Sequence, residues 1–174
     1  MNMEQIKVLI DENTISKKIE EISEKINNDY KNEPLIVIGI LKGSFMFMSD
    51  LVKHLNMDTE IYFMKASSYG SGTESSGNVR ISLDVDCDIS GKNVLLVEDI
   101  IDSGNTMAEL RKILNKRNAK SIKLCSCLSK PSRRVVDVEI EYLGFEIPDK
   151  FVVGYGIDFD EKYRNLPYIG YIES

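Results

Sequence analysis

Tryptophan is absent from this chain, and histidine occurs once, at His54. A multi-histidine metal centre is therefore excluded, and a Ser-His-Asp device would have to be built on that one residue. Cysteine is scarce and awkwardly spaced: Cys87, Cys125 and Cys127 make an odd count with one C-x-C. That suits neither a CxxC zinc pair nor a secreted disulfide framework, so the three read as small buried apolar residues of a reducing compartment. No apolar run approaches the ~20 residues that span a bilayer. The first residues, MNMEQIKVLIDENT, carry acids and no long apolar stretch, so no secretory signal is expected and a cytoplasmic location is. A basic excess is missing too: 22 Lys+Arg stand against 28 Asp+Glu, a net charge of -6. A broad electrostatic footprint for nucleic acid is excluded by that balance.

What remains is an ordinary globular mix, 43% hydrophobic and 29% charged over 174 residues. The length fits one domain able to bury a core without staples. Asn13 and Thr14 are helix-capping types ahead of Ile15, Ile19, Ile22 and Ile26, an apolar stripe at helical spacing. After Pro34, Leu35–Ile40 is a short, continuously apolar run, as in a parallel strand buried on both faces. Phe45, Met48, Val52 and Leu55 then recur at helical spacing, with His54 on the polar side and given no role. Residues 59–66 read as a strand, 67–78 as a long Ser/Gly loop, and 79–85 as a strictly alternating strand, together a long hairpin. Residues 94–97 are a second buried strand. A helix follows with Met107, Leu110, Ile113 and Leu114 on one face. Strand patterns recur at 121–128, 135–143 and 150–155, and the tail from 156 is rich in aromatic and turn residues. Strands alternating with helices predict an α/β fold with a mostly parallel sheet.

The stretch Val94–Met107, VLLVEDIIDSGNTM, carries the most chemistry. A buried strand ends in Glu98 and Asp99, a short loop adds Asp102, and Ser103-Gly104-Asn105-Thr106 opens a helix. In open α/β sheets ligands bind beyond the carboxyl ends of the strands. Backbone N–H groups at a helix start make a phosphate site, and Gly104 admits close approach of the anion. Taken separately, the acidic pair can be a solvated turn, and SGNT alone reads first as an ordinary helix cap. Together, in this order, they suit a ligand with both hydroxyls and a phosphate, such as a sugar phosphate.

VLLVEDIIDSGNT closely resembles the 5-phosphoribosyl-1-diphosphate (PRPP) motif of the type I phosphoribosyltransferases. Leu41-Lys42-Gly43-Ser44 is similar to that family's pyrophosphate loop, and Ser67-Ser68-Tyr69-Gly70 to the start of its flexible catalytic loop. Lys130-Pro131 and Phe151-Val152-Val153-Gly154-Tyr155, with Asp158 and Arg164, resemble the base-binding end of the hypoxanthine (hypoxanthine-guanine) phosphoribosyltransferases. The resemblance runs from about Val8 to Tyr168.

It implies a type I phosphoribosyltransferase core over 1–174. A small hood is formed by the N-terminal residues and about 130–174. The implied reaction takes PRPP and hypoxanthine, with guanine as a second base, to IMP or GMP and pyrophosphate. It passes through an oxocarbenium-like transition state. By resemblance Glu98 and Asp99 hold the ribose hydroxyls, directly or through Mg²⁺-bound water, and Asp102 is the general acid/base at the purine N7. Ser103, Gly104, Asn105 and Thr106 cradle the 5′-phosphate; Asn105 stands where the family often has Lys. Leu41, Lys42, Gly43 and Arg164 take the pyrophosphate, with a cis peptide at Leu41–Lys42. Ser68 and Tyr69 belong to a lid. Lys130 donates to the purine O6, Phe151 stacks on the ring, the Val152 backbone reads its edge, and Ile100 and Ile157 pack around it. Asp158, at the base end, reaches a second Mg²⁺. A homodimer or homotetramer is implied, with neither nucleic acid nor membrane as partner. The competing reading is an RNA-binding regulator that keeps this fold, as in pyrimidine-operon attenuation. The net charge and the retained Asp102 oppose it.

Overall fold

The computed structural model describes residues 6–68 and 79–172. The Ser/Gly segment from Tyr69 onward, and with it Tyr69's place in a lid, lies outside the described residues. The elements are β1 (Ile6–Ile10), α1 (Glu12–Tyr30), β2 (Leu35–Ile40), α2 (Phe45–Val52), β3 (Thr59–Ser68) and β4 (Val79–Leu83). After these come β5 (Asn93–Ile101), α3 (Asn105–Asn115), β6 (Ser121–Ser129), β7 (Tyr142–Glu146), β8 (Val152–Val153) and β9 (Ile169–Ile172).

The main sheet has the order β4-β3-β2-β5-β6-β7. Its inner pairings are all parallel, and only the edge pair β3–β4 is antiparallel. The continuous apolar runs at β2 and β5 are explained by burial on both faces. Leu35 and Val37 point into a core shared with α1 and α2, whereas Ile36, Ile38 and Ile40 point into a second core under α3. On β5, Leu95 and Val97 face the first core and Val94 and Leu96 the second. This is the period-2 alternation of a strand with an apolar layer on each side. The α1 stripe Ile15, Ile19, Ile22 and Ile26 is buried as expected, and Met107, Leu110 and Leu114 of α3 are buried too.

Three details depart from expectation. The N-cap of α1 is Asp11, not Asn13 or Thr14; its carboxylate accepts the Thr14 N–H at 2.9 Å and the Thr14 hydroxyl at 3.0 Å. The strand expected over 135–143 begins only at Tyr142. Ahead of it, the Val135 and Val136 N–H groups both donate to the Ser103 carbonyl, each at 3.0 Å, rather than to a ladder. Within 150–155 only Val152 and Val153 are strand. They join a separate antiparallel sheet, β1-β9-β8, in which β1 and β9 from the two ends of the chain pair and β8 is added outside β9. β7 adds to the main sheet instead, so the residues from 130 onward divide between the two sheets.

Candidate active site

β2 and β5 are parallel neighbours in register, with Gly39 opposite Val97, so their carboxyl ends open side by side. Beyond them lies a cleft of about 620 Å³. The β2 side contributes Leu41, Lys42 and Gly43. The β5 side contributes Glu98, Asp99, Ile100, Asp102, Ser103, Gly104 and Thr106, and Asp158 and Arg164 come in from the C-terminal part. Twelve of the residues singled out from sequence thus line one cavity, where α/β sheets bind ligands.

Two glycines let these loops meet. A Cβ on Gly43 would lie 1.6 Å from Asp99 Oδ2, so only glycine fits between the two loops. Gly104 has φ 85°, and its Cβ would lie 2.5 Å from the Val136 carbonyl oxygen. The loop before α3 is thereby pressed onto the 135–136 segment, which also holds the Ser103 carbonyl. Gly104 is the N-cap of α3 and brings no side chain to cover the helix start. That leaves the positive end of an eleven-residue helix facing the cleft beside the Ser103 and Thr106 hydroxyls. On the β2 side, the Leu41–Lys42 peptide is cis, as the resemblance implied. The buried Ser44 hydroxyl donates to the Ile40 carbonyl at 2.7 Å and ties the loop to its strand.

The electrostatics are uneven. Burial, followed by the neighbouring Asp99 carboxylate, pushes Glu98 well above the usual carboxylate range; burial also raises Asp99. Two adjacent acids in a poorly hydrated site favour a bound cation or a shared proton. Their own donors are few: the Asp99 N–H reaches Glu98 at 3.0 Å and the Ile100 N–H reaches Asp99 at 2.7 Å. Among the described residues no group of three Asp, Glu, His or Cys forms a ready-made metal cage. The pair suits a hard divalent cation that keeps waters and takes most of its oxygens from substrate. Asp158 is less open to such an ion. One of its oxygens takes Arg164 Nη2 at 3.0 Å and the other the Glu161 N–H at 2.8 Å.

Asp102 lies at the mouth of the α3 loop. Its Oδ1 is buried without a hydrogen-bond partner, with Lys130 Nζ 3.9 Å away. Lys130 is almost fully buried and stands between Asp102 and Asp149, the latter at 3.8 Å. Arg164 Nη1 donates to the Gly156 carbonyl at 2.8 Å, while its Nε is buried and unpartnered. Such orphaned polar atoms at a cleft are what a polar ligand satisfies.

Not every expected residue lines the cavity. Asn105, the first residue of α3, does not, nor do Lys130, Phe151, Val152 and Ile157. Lys130 stands behind the lining, 3.9 Å from the cleft-lining Asp102. Phe151 is 53% exposed, its ring packed edge-on against Phe159 with centroids 5.5 Å apart. Val152 is buried in β8 opposite Tyr171, and Ile157 accepts the Gly154 N–H at 2.8 Å in a tight turn. Ser68 closes β3, whose preceding residue, Ser67, lines the cleft. Sequence reasoning missed Asp149 and Glu161, which meet the cationic side chains Lys130 and Lys42. Both sit in turns with no motif to mark them.

A doubly flanked parallel sheet, a carboxylate pair at one strand end, a phosphate loop at the next helix start and cations opposite define an enzyme class. It is one that handles a phosphorylated sugar. The family model described as phosphoribosyl transferase domain matches residues 7–160. The hypoxanthine phosphoribosyltransferase of Salmonella typhimurium is 51% identical over 167 residues, covering 95% of this chain and 94% of that protein. The hypoxanthine-guanine phosphoribosyltransferase of Bacillus subtilis is 48% identical, covering 96% and 93%. A crystal structure of a hypoxanthine phosphoribosyltransferase from Staphylococcus aureus superposes with a TM-score of 0.94 at 44% identity, covering 98% of this chain and 93% of that one. The chain belongs to the phosphoribosyltransferase family, within its hypoxanthine phosphoribosyltransferase branch.

Proposed function

We propose that this protein carries out purine salvage, moving the 5-phosphoribosyl group from PRPP to hypoxanthine, and to guanine, to give IMP or GMP and pyrophosphate. One observation carries the reading: the acidic pair, the α3 phosphate loop and the Lys42–Arg164 side all face a single 620 Å³ cleft. Those are the three chemistries of PRPP, namely hydroxyls, a phosphate and a diphosphate.

In this reading the α3 loop binds the 5′-phosphate through Ser103, Gly104, Asn105 and Thr106, mostly by backbone donors and the helix dipole. Glu98 and Asp99 hold the ribose hydroxyls. Leu41, Lys42, Gly43 and Arg164 bind the diphosphate, the planar guanidinium matching its paired oxygens. The base lies over Ile100 against Phe151 and Ile157. The Val152 backbone reads its edge, and Asp158 stands at the base end. Lys130 donates to O6, which selects oxo over amino purines because an amino group would set donor against donor. Asp102, with its unsatisfied oxygen, takes or returns the N7 proton as N9 attacks C1. Glu98 and Asp99 would hold a divalent cation, Mg²⁺, and Asp158 a second; when bound, it would supply neutralisation of leaving-group charge. Ser68 and Tyr69 begin a lid that keeps water from the activated sugar.

The whole chain acts as one domain, in the cytoplasm, with β1-β9-β8 as the hood. No helix among the described residues is long and apolar enough to cross a membrane. Neither nucleic acid nor membrane is a proposed partner. A homodimer or homotetramer suits the adjacent exposed Ile61 and Phe63 on one side of β3, at 48% and 41% exposure. Sedimentation velocity should show a species two or four times 19.8 kDa, and a monomer at micromolar concentration counts against assembly. Turnover measured with hypoxanthine, guanine and xanthine tests the substrate assignment; xanthine as the sole accepted base contradicts it.

A further inference from the structure

Glu161 is not part of the machinery described above, yet its carboxylate occupies the cations of that machinery. Its Oε2 accepts Lys42 Nζ at 2.7 Å and lies 3.5 Å from Arg164 Nη2. One oxygen between two cations is the contact a diphosphate oxygen would make. The two cations differ in freedom. Arg164 is fixed by the Gly156 carbonyl and Asp158, whereas Lys42 is half exposed and, among the described residues, is held by its ion pair with Glu161.

The backbone supplies an independent observation. Phe159 and Lys162 exchange both N–H···O=C bonds, at 3.1 and 3.0 Å, which closes a two-residue hairpin. Its central residues, Asp160 and Glu161, have φ 51° and 61°. Such turns favour Asn-Gly, because a residue with an ordinary Cβ is strained at positive φ. A glutamate at the second position breaks the local rule, and rule-breaking residues concentrate where a side chain has a task. Here the hairpin aims the carboxylate back at Lys42.

We infer that Glu161 is a resident anion of the diphosphate subsite: it holds Lys42 in the free protein, must be displaced when a diphosphate enters, and re-forms its ion pair as pyrophosphate leaves. This makes Glu161 a positioning residue that sets affinity for PRPP and pyrophosphate without touching the reacting atoms, and it rests on the diphosphate reading of Lys42 and Arg164. Because the pair is solvent-exposed it is weak and displaceable, so its removal should tighten binding by about two- to five-fold.

The test is calorimetric titration of inorganic pyrophosphate with Mg²⁺ into wild type, Glu161→Gln and Glu161→Asp. The Gln variant keeps the shape and loses the charge. The Asp variant keeps the charge but is one methylene short of Lys42. Both are expected to bind pyrophosphate two- to five-fold more tightly than wild type at low salt. The difference should shrink as salt is raised, since screening weakens the competing pair. The KM for PRPP should fall in parallel with little change in kcat. Unchanged or weaker pyrophosphate binding in Glu161→Gln overturns the inference, as does an Asp variant that behaves like wild type. Glu161→Gly, which relieves the positive-φ strain, should also bind more tightly and melt no lower than wild type. If wild type binds no pyrophosphate at all, the subsite reading itself fails, and the inference with it.

Discussion

Asp102 shows how much a single residue can be asked to do. Sequence order put it after the acidic pair and before the phosphate loop. The structure adds an unsatisfied buried oxygen and Lys130 at 3.9 Å. Asp102→Asn keeps the shape and removes proton transfer, so kcat should fall by roughly 10²–10⁴ while the KM for PRPP changes little. Steady-state kinetics with varied PRPP decide it, and an unchanged kcat removes Asp102 from the acid/base role. Glu98 makes a different prediction. Burial and Asp99 raise its folded-state pKa above the unfolded value. Its protonated form is therefore favoured on folding. That stabilisation is complete below the ordinary carboxylate range and is lost as pH rises through the raised value. In metal-free buffer Glu98→Gln should melt near wild type at pH 4 and roughly 2–4 °C higher at pH 8 for each kcal/mol relieved. Thermal scans at the two pH values check this; a Gln variant that melts lower at pH 8 contradicts it. At this scale the acids and the glycine of the β5–α3 unit were legible, because their order mirrors the crevice. Glu161 and Asp149 were not, since only the fold carries them to Lys42 and Lys130.

At the scale of elements, the buried parallel strands and the amphipathic helices were legible because each face has its own apolar set. β2 reads as a continuous run because α1, α2 and α3 cover both its sides. β1 and β9 were missed: each is short, and they pair across the length of the chain, Ile6 opposite Ile172, which no local pattern reveals. The 135–141 segment was misread for a related reason. Its β-branched residues suit a strand, yet its first two N–H groups, of Val135 and Val136, serve the Ser103 carbonyl, a tertiary contact that overrides propensity. That contact makes a prediction. In Gly104→Ala the new methyl group meets the Val136 carbonyl oxygen and the residue is held at φ 85°, so the phosphate loop must lift away from its support. The KM for PRPP should rise about ten-fold or more, with a stability loss of about 1–3 kcal/mol. Kinetics and denaturant unfolding measure the two effects, and a variant with wild-type values for both would show that the loop is not held this way.

Over the whole molecule, the charge excess has acquired a place. Glu98, Asp99, Asp102 and Asp158 line one cleft, opposite Lys42, Arg164 and the start of α3. A cleft carrying both signs suits an anionic sugar that arrives with a metal ion, and the family relationship names the chemistry. The central claim is phosphoribosyl transfer to a 6-oxopurine. Its most direct test is chromatographic detection of inosine monophosphate from purified protein, PRPP and hypoxanthine, with Mg²⁺ and again with excess EDTA. Stoichiometric IMP and pyrophosphate are expected with Mg²⁺, and a loss of at least a hundred-fold in rate with EDTA. No nucleotide from either hypoxanthine or guanine in the presence of Mg²⁺ would contradict it.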